Sequence, residues 1–272
     1  MNTVHKKYHK LKGILESLQS AVIAFSGGVD STFLLRAAKE MLKANIITVT
    51  FRSEIIPQSE IEDAKSLASE LGVKHIIIDS DILHHKPFLS NDNQRCYYCK
   101  KFIFSELSDI AKKNNLKYII EGSNADDAHD YRPGRKVLNE MNILSPLAQA
   151  GLTKEEIRKL SRKMGLPTWN KLALACLATR IPYGTPITKD KIRRISICEQ
   201  FLHELGFKQV RVRDHQTIAR IEIPQSDIKK LVKTKNSSAI TARFKDQGFK
   251  YVCADIEGYR TGSMNEVLNN EK

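Results

Sequence analysis

A chain of 272 residues is long enough for two domains, each with its own core. Hydrophobic residues make up 41% of it, but no apolar run is long enough to span a bilayer, so no membrane partner is expected and the chain reads as a soluble, cytoplasmic protein. The net charge of +13 points to anionic partners, but the basic pairs Lys112-Lys113, Arg193-Arg194 and Lys229-Lys230 lie in separate segments, so charge alone does not imply RNA binding.

Met1 to Lys7 is basic but has no apolar h-region behind it, so a secretory signal is not expected. Leu11, Ile14, Leu15 and Leu18 recur at helical spacing and predict a helix over 6–18. Val22 to Phe25 is a short, wholly apolar run, the pattern of a strand buried on both faces. Ser26-Gly27-Gly28 follows, and Thr32 to Ala38 then reads as a helix. Strands are predicted at Asn45–Phe51, His75–Asp79 and Tyr118–Ile120. Ser59 with Glu62 reads as a capping box for a helix ending near Gly72, and Thr153 with Glu156 as another for a helix to about Met164. Lys100 to Asn114 is a further helix. Strands alternating with helices predict an α/β fold with a doubly wound parallel sheet.

From about Thr188 the pattern changes. A helix over Lys189–Leu205 precedes two strands with one polar face each, Gln209–Arg213 and Ile218–Ile223. Helical stretches follow near 225–233 and 238–247, then a last strand, Lys250–Ile256. This is the pattern of a smaller C-terminal α+β domain. The turn cluster Pro182-Tyr183-Gly184-Thr185-Pro186 places the boundary between domains at 1–186 and 187–272.

The stretch V-I-A-F-S-G-G-V-D-S, Val22 to Ser31, carries the strongest chemistry. A strand, a glycine turn and a helix N-terminus direct backbone N–H groups and the helix dipole at one point, which suits a phosphate. Gly27 and Gly28 permit close approach, and Ser26 and Ser31 add hydroxyls. Asp30 repels phosphate and makes sense as a ligand of the accompanying Mg²⁺. There is no Walker lysine and no G-x-G-x-x-G. The loop resembles the PP-loop of the ATP pyrophosphatases, which implies ATP as cosubstrate and adenylation with release of pyrophosphate. The polar loop Glu121 to Asp127, with Gly122 and Asp126, follows a strand's C-terminal end, where ligands of such sheets bind.

Five cysteines in a chain of this kind argue for metal or catalytic use rather than a disulfide frame. Cys96-Tyr97-Tyr98-Cys99 is expected just ahead of a helix, a position that favours thiolates, and Cys176 lies near the end of the first domain. Their spacing leaves three readings open: a redox pair, a zinc site short of a fourth ligand, and a [4Fe–4S] cluster on Cys96, Cys99 and Cys176 with one iron open. Beside an ATP loop the cluster is favoured, because an open iron can carry sulfide to an activated substrate. Cys198 falls on an apolar helix stripe and reads as core. Nothing pairs Cys253 with the other cysteines.

S-G-G-V-D-S, E-G-S-N-A-D-D-A-H-D-Y-R-P-G, W-N-K, C-L-A-T-R-I-P-Y-G and V-R-V-R, in that order from Ser26 to Arg260, together resemble the LarE family. These are ATP-dependent sulfurtransferases of nickel-pincer nucleotide biosynthesis. The resemblance implies that a carboxylate of pyridinium biscarboxylic acid mononucleotide is adenylated and converted to a thiocarboxylate. One branch of the family sacrifices the sulfur of a single cysteine at the position of Cys176. This chain also carries Cys96 and Cys99, so it resembles the cluster-containing branch, in which sulfide comes from an external donor. Arg211 and Arg213 match the arginines that hold the substrate phosphate. At positions i and i+2 they share a strand face. Arg180 and Glu222 match further substrate positions. A homo-oligomer is expected.

The competing enzyme reading is a [4Fe–4S]-dependent tRNA thiolase, which shares the PP-loop. Against it stand the lack of an RNA-binding module, of terminal zinc ribbons and of a concentrated basic tract, so nucleic acid is not the expected partner. A non-catalytic nucleotide-binding or redox protein would leave the V-R-V-R segment without a task.

Overall fold

A computed structural model describes residues 3–129, 134–172 and 175–266. The chain forms two compact units, one of residues 1–82 and 96–174, the other of residues 83–95 and 175–272.

In the first unit, α1 (Thr3–Leu18) buries Leu11, Leu15 and Leu18 and leads into β1 (Ala21–Ala24). Then come α2 (Val29–Leu42), β2 (Ile46–Arg52), α3 (Gln58–Glu70) and β3 (His75–Asp79). The chain enters the second unit for 83–95, which contains the short α4 (Lys86–Leu89). It returns with α5 (Arg95–Lys113), β4 (Tyr118–Ile120), α6 (Gly134–Glu140), α7 (Pro146–Gln149) and α8 (Lys154–Lys163). The sheet is parallel throughout, in the order β3-β2-β1-β4. Ala21, Val22 and Ile23 are fully buried, as a central strand with helices on both faces requires. One apolar layer joins α1, α2 and α8, and the other joins α5 to β2 and β4.

The capping box of Thr153 and Glu156 is present, with both reciprocal bonds. The box at Ser59 and Glu62 is not. Pro57, at φ −56° and ψ 138°, already occupies the cap position, so the helix starts at Gln58 and Ser59 falls inside its first turn. α5 begins earlier than Lys100, because Asp92 accepts the backbone N–H of Gln94 (2.8 Å) and turns the chain ahead of Arg95. Cys96 and Cys99 therefore sit in the first turns of α5, not ahead of it.

The second unit contains α9 (Lys189–Glu204), β5 (Arg211–His215), β6 (Ile218–Glu222), α10 (Gln225–Leu231), α11 (Thr234–Asp246) and β7 (Tyr251–Ala254). Its sheet runs β5-β6-β7, antiparallel then parallel. Val210, Val212, Ala219 and Ile221 pack with Leu202, Phe244 and Phe249 into the core. The turn at 182–186 lies inside this unit. Asn91, fully buried, donates to the carbonyls of Pro182 (2.8 Å) and Thr185 (2.7 Å) and so ties 83–95 to it. Among the described residues no helix is long and apolar enough to cross a membrane.

Candidate functional site

The loop between β1 and α2 is built as the glycines require. Gly27 has φ +65°, and a Cβ there would lie 3.1 Å from the Cα of Ala64 in α3, so both conformation and space demand glycine. The Ser26 and Ser31 hydroxyls lie 3.0 Å apart, and Ser31 also donates to the Gly28 carbonyl (3.3 Å). Gly28 is the N-cap of α2 and makes no side-chain cap, which leaves the helix end to an anion. The loop after β4 lies against it: a Cβ on Gly122 would come 3.1 Å from the Ser31 nitrogen.

Asp30 stands in the first turn of α2. Its Oδ2 accepts from Lys154 Nζ at 2.6 Å and from Asn124 Nδ2 at 3.5 Å. Its Oδ1 is buried and has no hydrogen-bond partner among the described residues. Burial pushes the Asp30 carboxyl above the usual carboxylate range, Asp127 adds to this, and Lys154 opposes it. A buried, unpartnered, acidic oxygen beside an anion loop fits a Mg²⁺ ligand. Asp126 reaches the same place indirectly: its Oδ2 accepts the backbone N–H of Lys154 (2.8 Å). Lys154 was not singled out by the sequence. Neither was Lys171, whose Nζ lies 3.4 Å from the Gly27 carbonyl. The only signals were the capping box next to one and the W-N-K string containing the other.

In the second unit the predicted arginines are not on a solvated face. Arg211 and Arg213 are each 5% exposed. Arg213 Nη2 donates to Glu222 Oε2 at 2.6 Å, while its Nε is buried without a partner among the described residues. Glu222 is fully buried, and its Oε1 accepts from Arg220 (3.1 Å) and Ser263 (3.3 Å). Arg211 stacks on Tyr259, 5.3 Å from the ring centroid. Burial lowers the Arg211 pKa, and the nearby charges of Arg180 and Arg213 lower it further. Crowded guanidiniums of this kind are stabilised by an anion. Arg180 is engaged otherwise. It makes a two-pronged pair with Glu199 (2.8 and 2.9 Å) and donates to the carbonyls of Ala175 (2.8 Å) and Cys176 (3.2 Å), so it shapes the segment bearing Cys176. Glu199 carries no signal of this in the sequence, where it reads as one more polar residue of α9.

Cys96 and Cys99, three residues apart on α5, share one helix face; the first is exposed and the second half-buried. Cys176, in the second unit, is half-buried. Cys198 is core, and burial pushes its thiol up to about 12. Cys253 is exposed on β7. The Asp130–Pro133 part of the long E-G-S-N motif, and Ala173 and Leu174 ahead of Cys176, lie outside the described residues.

A four-stranded parallel sheet with S-G-G-V-D-S between its first strand and helix defines a PP-loop nucleotide-binding protein. The family described as Queuosine biosynthesis protein QueC matches residues 20–91. The chain is 37% identical to the pyridinium-3,5-bisthiocarboxylic acid mononucleotide synthase of Lactiplantibacillus plantarum, over 98% of this chain and 97% of that one. It is equally 37% identical to an uncharacterized protein of Synechocystis (97% and 99% covered) and 33% to one of Methanocaldococcus jannaschii (94% and 98%). The chain belongs to the LarE family, that of the plantarum synthase.

Proposed function

We propose that this chain is an ATP-dependent sulfurtransferase that adenylates a carboxylate of pyridinium biscarboxylic acid mononucleotide and converts it to a thiocarboxylate. The relationship to the plantarum synthase carries this reading, because it runs through both units and not through the ATP loop alone. The chemistry needs ATP for a simple reason: a carboxylate oxygen is a poor leaving group and AMP is a good one.

In this reading the N–H groups at Gly27 and Gly28, with the Ser26 and Ser31 hydroxyls, hold phosphate. The loop of Gly122 and Asp126 closes the nucleotide site. Asp30 offers its unpartnered Oδ1 to Mg²⁺. Arg211 and Arg213 take the substrate monophosphate, Glu222 fixes and partly neutralises Arg213, and Arg180 holds the backbone around Cys176. The reading extends to a [4Fe–4S] cluster held by Cys96, Cys99 and Cys176, supported by the C-x-x-C pair, whose two thiols share one face of α5. Such a cluster, when bound, supplies an open iron at which external sulfide is held for transfer.

The experiment is a single assay with anaerobic protein, ATP, Mg²⁺, sulfide and the pyridinium mononucleotide, with tRNA offered beside it. Pyrophosphate release and replacement of oxygen by sulfur in the small molecule are expected. Sulfur in the tRNA instead would overturn the assignment, since one buried arginine pair suits one phosphate and RNA needs an extended basic track.

A further inference from the structure

The S-G-G-V-D-S loop contains no lysine, so an ammonium that meets the phosphates has to come from elsewhere in the chain. Lys171 is placed to provide it. Its Nζ lies 3.4 Å from the carbonyl of Gly27, at the turn of the loop. Two carboxylates of α3 hold it there, Glu60 at 3.0 Å and Asp63 at 2.7 Å. The same helix contacts the loop directly, since Gly27 packs against Ala64. The backbone of Lys171 is fixed as well: Arg158 in α8 donates to the carbonyls of Trp169 and Lys171, both at 2.8 Å. The side chain is 18% exposed, sheltered enough for its charge to be poorly screened.

We propose that Lys171 binds the pyrophosphate half of ATP and the pyrophosphate that leaves it. This rests on the reading of the loop as the ATP site. In the adenylation step a carboxylate oxygen of the substrate attacks the α-phosphorus. That O–P bond forms as the bond from the α-phosphorus to the oxygen bridging to the β-phosphorus breaks. Pyrophosphate departs with the electron pair, and no oxidant or proton is required. Negative charge therefore grows on the leaving half, where a fixed ammonium lowers the barrier most. Glu60 and Asp63 keep Lys171 in place while no phosphate is present. The two lysines divide the work: Lys154 is engaged with Asp30, Lys171 with the turn of the loop.

A purely structural role, tying 167–171 to α3, makes different predictions. Inorganic pyrophosphate and AMP, each with Mg²⁺, are titrated calorimetrically into the full chain and into Lys171→Gln, Lys171→Arg and the double variant Glu60→Gln/Asp63→Asn. Lys171→Gln is expected to weaken pyrophosphate by about ten-fold or more and to change AMP by less than about two-fold. Lys171→Arg should keep most of the affinity, and the double variant should bind pyrophosphate at least as tightly as the natural chain. Unchanged pyrophosphate binding in Lys171→Gln overturns the proposal. So does a double variant that loses as much as Lys171→Gln, the result a structural tie requires. Should circular dichroism show Lys171→Gln unfolded, Lys171→Arg and the double variant decide by the same criteria. A natural chain that binds neither ligand overturns the reading of the loop itself, and the role of Lys171 with it.

Discussion

Lys154 Nζ donates to Asp30 Oδ2 at 2.6 Å while the other oxygen of the same carboxylate, Oδ1, is buried with no partner among the described residues. One oxygen is held and oriented; the other is the one proposed to take Mg²⁺. Asp30→Asn keeps the shape and removes the charge, and pyrophosphate release is expected to fall by roughly a hundred-fold or more. The fold should not suffer. The folded Asp30 pKa is raised, chiefly by burial, so the folded chain binds the proton more tightly than the unfolded one. Without metal, stability declines as pH rises through that raised value, and Mg²⁺ affinity grows over the same interval. Thermal melts against pH, with and without Mg²⁺, check both signs. The Asn variant should lack the decline.

Arg211 and Arg213 separate binding from stability. Arg211→Ala is expected to weaken the mononucleotide by about 1–3 kcal/mol, the scale of a lost charge-assisted hydrogen bond. ATP should be untouched and the melting temperature kept, since a guanidinium crowded by Arg180 and Arg213 has been removed. Arg213→Ala breaks a buried ion pair with Glu222 and should cost about 3 kcal/mol of stability. Arg220 and Ser263 remain as partners of Glu222, which keeps the loss near the lower end of that range. Equal losses of ATP and mononucleotide in Arg211→Ala would argue against separate phosphate sites.

The cysteines should sort by burial and by metal. Anaerobically prepared protein is expected to hold about four irons per chain. Serine at Cys96, Cys99 or Cys176 should lose that iron, and serine at Cys253 should keep it. Cys198, with its thiol pushed up to about 12, should resist alkylation at pH 8 in the folded protein, while exposed Cys253 reacts. Peptide mapping after iodoacetamide reads the second point. Turnover beyond one product per chain, with the Cys176 sulfur intact by mass, distinguishes catalysis from sacrifice.

The cap of α8 has a functional side. Thr153→Ala removes a side-chain bond that starts the helix next to Lys154 and should cost about 1 kcal/mol. Fraying there loosens the lysine on Asp30, so pyrophosphate release should drop more than stability alone explains. Normal release in a destabilised Thr153→Ala protein would show that Lys154 needs no help from the cap.

What the sequence by itself determined is whatever depends on near neighbours. The apolar run before Ser26, the paired glycines, the period of α1 and the box at Thr153 and Glu156 each depend on residues a few places apart, so strand, loop and helix were legible. Even there, Ser59 and Glu62 had the letters of a cap without its geometry, because Pro57 had already begun the helix. The V-R-V-R segment showed a strand, but its alternation suggested one polar face. Only the structure placed Arg211 and Arg213 in the interior, opposite Glu222 and Arg220 on β6. Lys154 meets Asp30 across 124 residues, and Lys171 meets Gly27 across 144. No periodicity encodes such contacts. They exist because the parallel sheet carries distant segments to the C-terminal ends of its strands, where the loop's N–H groups and these side chains converge.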